Sequence, residues 1–86
     1  MLGSARWITP VTLLSVPTPT GPGVRLEYGA PCLAEGGTRV RKLVHHFGRR
    51  GFVLVRYQTP YMVTGAGCPN GTLFFLPAQE FTHDLP

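Results

Sequence analysis

The chain has 86 residues and a mass of 9.4 kDa, which limits it to one small domain with a modest core. Charged residues make up only 14%, Gly and Pro number 11 and 9, and no apolar run is long enough to span a bilayer, so a coiled coil, a collagen-like repeat, a charged disordered tail and a transmembrane helix are excluded. Eight Lys and Arg against four Asp and Glu leave a net charge of +4. Six of the cations (Arg39, Arg41, Lys42, Arg49, Arg50 and Arg56) crowd one window of the chain, and no acid occurs between Glu35 and Glu80.

Residues 1–23 differ in composition from the rest. They carry one charge, Arg6, no acid, and prolines at 10, 17, 19 and 22. Proline fixes φ and removes a backbone donor, so neither a long helix nor a central strand is expected here. The expectation is an extended Pro-rich arm outside the core, polyproline-like over 16–23. Trp7, Leu13, Leu14 and Val16 would be its partner-docking side chains. Pro10 interrupts any import-type amphipathic helix, and the apolar stretch 11–16 is too short for a secretory signal and contains Thr12 and Ser15. With Cys32 and Cys68 expected as free thiols, a soluble reducing compartment or an organelle matrix is favoured over secretion.

Val24-Arg25-Leu26-Glu27-Tyr28 alternates apolar and polar residues, the period of a half-buried strand. Residues 29–37 read as a loop. Thr38 then fits a helix N-cap, with Val40, Leu43, Val44 and Phe47 at the spacing of one helical face and Gly48 placed to end it. This predicts a helix over 38–47 whose outer face shows Arg39, Arg41 and Lys42. Gly48-Arg49-Arg50-Gly51 is a turn, and Phe52-Val53-Leu54-Val55-Arg56-Tyr57 is the strongest strand signal in the chain. Pro60 breaks that run, which 61–64 resumes. Residues 65–71 form a turn cluster, and Thr72-Leu73-Phe74-Phe75-Leu76 is a second strong strand stopped by Pro77. One helical turn is expected over 78–81.

The resulting expectation is an α+β fold. A small antiparallel sheet of three to four strands carries one amphipathic helix, with the domain over 24–81, the arm over 1–23 and an irregular tail over 82–86. The strands 52–57 and 72–76 form an antiparallel hairpin. Val40, Leu43, Val44 and Phe47 would meet Val53, Val55, Leu73 and Phe75 or their strand neighbours.

Chemistry is sparse. Gly65-Ala66-Gly67 lacks the third glycine of a dinucleotide loop, since position 70 is Asn and a strand follows. Cys32, His45, His46, Cys68 and His83 are suitable zinc ligands in type, but there is no Cys-x-x-Cys and no His pair at ligand spacing. No metal, cofactor or catalytic group is assigned. Two cysteines are too few for a disulfide scaffold, and free thiols are favoured over a bridge.

Residues 43–77 resemble part of the HicA-type RNase toxins in a basic amphipathic helix, the Gly51-Phe52 junction, a strand ending Val55-Arg56 and a second strand closing on Pro77. The resemblance covers under half of the chain and implies an α-β-β unit of a kind that can form a layer like those that bind double-stranded RNA. Where that family has a Gly-Ser-His motif this chain has Gln58-Thr59-Pro60-Tyr61, so the family's catalytic His is absent.

Two functional readings follow. One is a non-catalytic accessory subunit that docks into a larger protein assembly through its arm. The other is a small basic RNA-binding module, within a ribonucleoprotein, that uses Arg39, Arg41, Lys42, Arg49, Arg50 and Arg56 on phosphate or on an acidic partner. The stacking aromatics beside that cluster would be Tyr57 and Tyr61. The arm, a quarter of the chain, tilts the balance to the first.

Overall fold

The computed structural model of the protein describes residues 2–45 and 49–84. The described residues form seven strands: β1 (Arg6–Ile8), β2 (Val11–Thr18), β3 (Gly21–Tyr28), β4 (Cys32–Ala34), β5 (Arg39–His45), β6 (Phe52–Gln58) and β7 (Leu73–Pro77). A short helix, α1 (Ala78–Asp84), follows. The larger sheet has the order β3-β2-β7-β6-β5, and β1 and β4 make a separate antiparallel pair. The molecule is therefore mostly β, and the α+β expectation is corrected. No described helix is long and apolar enough to cross a membrane.

The helix expected over 38–47 is an edge strand. β5 pairs antiparallel with β6 from Arg39↔Gln58 to His45↔Val53, and its register shifts between Lys42 and Val44. That shift is the physical reason for the misreading. A β-bulge inserts one extra residue into a strand, so the two-residue alternation that marks a strand is broken between Lys42 and Val44. With the helix goes the α-β-β layer that the resemblance to RNase toxins implied. Of the expected helical face, Phe47 lies outside the described residues, Leu43 is half-buried, and Val40 packs against the core from within a strand.

The Pro-rich arm is also corrected. Residues 6–8 and 11–18 are strands, and Leu2, Ile8 and Val11 are buried. β2 and β3 form a hairpin closed at Thr18↔Gly21, with Pro17 opposite Pro22. In an antiparallel ladder facing pairs alternate with pairs that exchange no hydrogen bond. Gly29 N–H donates to Pro10 C=O (2.9 Å), which places Pro17 and Pro22 in a pair of the second kind. Their missing donors cost nothing there. Pro19 lies in the turn, where its fixed φ is tolerated.

β6 and β7 pair antiparallel from Phe52↔Pro77 to Arg56↔Leu73, as their sequence predicts. One face of this pair carries the core: Val53, Val55 and Tyr57 of β6 with Phe74 and Leu76 of β7, joined by Leu2, Ile8, Ala34 and Cys68. On β7 the inward residues are thus the neighbours of Leu73 and Phe75, which are both half-buried. Residues 61–64 form no strand, and belong to a long connection that runs beside β4, in a parallel bridge between Gly67 and Leu33. It is tied there by Leu33 N–H to Ala66 C=O (2.8 Å), Cys68 N–H to Leu33 C=O (3.0 Å) and a Cys32–Cys68 disulfide. The expectation of free thiols is corrected accordingly.

At the other end Leu2 donates to Thr38 C=O (2.8 Å) and accepts from Gly37 N–H (2.7 Å). Buried Tyr57 accepts from Glu35 N–H (3.1 Å), and buried Thr38 donates its hydroxyl to Glu35 C=O (2.8 Å). Arg6 forms an ion pair with Glu80 that links β1 to α1.

The β2–β3 hairpin joins the larger sheet through one residue pair, Val11↔Leu73. The radius of gyration is 13.7 Å, against about 12 Å for a compact chain of this length. The long axis measures 43 Å. A projecting two-stranded hairpin accounts for both values.

Candidate nucleic-acid interface

Alternation along β5 and β6 sorts the cations by face. Residues paired directly across two antiparallel strands share a face. Val40 lies opposite Tyr57 on the core face, so Arg39 (opposite Gln58) and Arg41 (opposite Arg56) project from the other face together with Arg56. All three arginines are exposed. Lys42, opposite Val55, has the parity of the core face and is separated from them. Arg49 and Arg50 are exposed in the β5–β6 connection.

The same outward face carries Phe52 and Leu54 of β6 with Leu73 and Phe75 of β7. Leu54 is buried at its centre, whereas Phe52 and Phe75 are half-buried. The Arg49 guanidinium lies 4.0 Å from the Phe52 ring centroid and 5.6 Å from that of Phe75, a cation–π clamp over both rings. From Phe52 to Gln58 the face runs about 20 Å along β6, at the rise of an antiparallel strand.

At the far end Arg39 and Arg56 border a hollow of about 480 Å³, whose walls include Gln58, Thr59 and Asn70. Thr59 N–H donates to Asn70 Oδ1 (2.7 Å), which fixes that wall. Tyr61 is 53% exposed, and its hydroxyl lies beside Gly37, another residue that lines the hollow. Tyr57 points into the core and is no stacking platform; Tyr61 is available as one.

The four side chains expected to dock the arm are not brought together. Trp7 is 60% exposed on β1. Leu13 lies on one face of the β2–β3 hairpin, while Leu14 and Val16 lie on the other. Among the described residues no group of three His, Cys, Asp or Glu side chains could hold a metal ion. The disulfide also removes both thiolates from any such set.

Phe52, Phe75 and the clamp by Arg49 were not recognised as parts of a site in the sequence. Their signal was present as a cation two or three residues before a strand that starts with an aromatic. Comparison with known proteins finds no matching family model, curated sequence or solved structure.

Proposed function

We propose that the protein is a non-catalytic module that binds single-stranded nucleic acid along the outward face of β5, β6 and β7. The observation that carries this reading is that Arg39, Arg41 and Arg56 project from one sheet face that also bears Phe52 and Phe75. Guanidinium groups pair with phosphate through two parallel hydrogen bonds, and aromatic faces stack bases of any sequence. No acid of the chain falls between Glu35 and Glu80, so β5, β6 and β7 bring no carboxylate to that face. Half-exposed aromatics beside the cations favour a single strand over a duplex, whose bases are already stacked. The disulfide supports an oxidising compartment over the reducing one expected from the sequence.

Fluorescence anisotropy with labelled single-stranded RNA and DNA, a duplex and heparin tests the reading. Four phosphate contacts, from Arg39, Arg41, Arg49 and Arg56, give a log–log salt slope of about −3 on a single strand. Replacing Arg39, Arg41 and Arg56 with Gln should make that slope less steep by about 2 and leave the circular dichroism unchanged. Equal binding by the variant, or no preference for single strands over heparin at matched charge, refutes it.

A further inference from the structure

We propose that the outer edge of β3 (Gly21–Tyr28) is a homodimer interface, in which two copies pair antiparallel about Leu26 and join their hairpins into one four-stranded sheet. This rests on the β2–β3 hairpin alone and is independent of the basic face.

β3 is an edge strand of the larger sheet. The alternation fixed by the Gly29–Pro10 hydrogen bond turns the N–H and C=O of Gly23, Arg25 and Glu27 towards β2. Those of Val24, Leu26 and Tyr28 point outwards. Pro22 occupies the next outward position and has no N–H, so a ladder added to this edge stops there. The usable edge is thus residues 24–28. It contains no proline and no bulge, two of the devices by which soluble proteins block such edges.

The residues on that edge are complementary to themselves. With Leu26 opposite Leu26 of the second copy, Val24 faces Tyr28 and Arg25 faces Glu27, and the reverse. All three outward-pointing residues then fall in facing pairs, each exchanging two hydrogen bonds. Within one chain Arg25 and Glu27 already lie side by side, with Nη2 and Oε2 3.1 Å apart. Pairing converts two such neighbours into a square of alternating charge on one face. No other register centred within 24–28 opposes these charges and also brings the outward groups into facing pairs.

The opposite face of the hairpin is apolar. Val11 lies across from Tyr28, Leu13 from Leu26, Ser15 from Val24 and Pro17 from Pro22. Val24 is 51%, Tyr28 53% and Leu13 37% exposed. A two-stranded hairpin standing alone in water is marginal, whereas a sheet of four strands with a shared apolar face is not. A second copy supplies both the missing strands and the matching Val24, Leu26 and Tyr28.

Sedimentation velocity on the full chain, from micromolar to millimolar, tests this through the charge pair. The wild type should sediment as a dimer at the upper end of that range. Arg25→Glu and Glu27→Arg should each weaken self-association at least about tenfold, because every crossing then opposes like charges. Mixing the two variants should restore a heterodimer, and the double exchange Arg25→Glu/Glu27→Arg should restore the homodimer. Arg25 and Glu27 are 62% and 53% exposed, so each variant keeps its fold, checked by circular dichroism. A wild type that stays monomeric, single variants that associate like the wild type, or a mixture that stays monomeric each overturns the proposal.

Discussion

Breaking the Cys32–Cys68 bridge should cost a large part of the stability of this domain. The two residues are 36 apart in sequence. In the chain-entropy account, releasing a loop of that size frees the unfolded state by about 4 kcal/mol at 25 °C. A chain of this length has a total unfolding free energy of only about 4–13 kcal/mol. The bridge also holds the 59–72 connection against the edge of β4, where Cys68 is 2% exposed and Leu33 makes two backbone hydrogen bonds to the connection. Urea unfolding of the oxidised protein, the protein under reductant and Cys32→Ser/Cys68→Ser should show midpoints falling together in the last two. The thermal midpoint should drop by about 20 °C, since about 1 kcal/mol corresponds to about 5 °C at this size. A loss below about 1 kcal/mol under reductant would refute the reasoning, because the packed connection would then be holding itself without the cross-link.

Phe74→Ala should cost about 3–5 kcal/mol because Phe74 is buried between the two sheets, whereas Phe52→Ala, on the half-exposed outward face, should cost clearly less; chemical denaturation of the two variants compares them. Tyr57→Phe should cost about 1–2 kcal/mol, since it leaves the Glu35 N–H without its acceptor, and that amide should lose hydrogen-exchange protection. Deleting residues 1–23 should unfold the remainder rather than leave an intact body, because it removes Leu2, Ile8 and Val11 from the core; the circular dichroism of the 24–86 fragment checks this.

What the sequence disclosed followed from how local each signal is. β6 and β7 are dense in β-branched and aromatic residues and are bounded by Gly51, Pro60 and Pro77, so each could be read within its own span. β5 could not, because its bulge is defined by pairing with β6 and not by its own residues. The prolines of β2 and β3 argued against strands until the register showed Pro17 facing Pro22 where no donor is used. A bridge between two cysteines is a matter of approach in space, and spacing along the chain carries no such information. For the site, Arg39 and Arg41 were expected with Lys42 on the outer face of a helix, whereas they share a face because residues two apart do so in the strand that forms there. Their association with Arg56, and the exclusion of Lys42, required the β5–β6 register.

The strand order has a kinetic corollary. β2 enters the larger sheet only where Val11 meets Leu73, across 62 residues of chain. The β2–β3 and β5–β6 hairpins close short loops and can form in microseconds, but their union must wait for that distant contact. The rate-limiting barrier therefore belongs to the meeting of the β6–β7 pair with Ile8 and Val11, after both hairpins have formed. Substitutions at Val55 and at Leu13 should therefore both slow folding, and a stopped-flow chevron in which the Leu13 variant only speeds unfolding would show that the hairpin forms after the barrier.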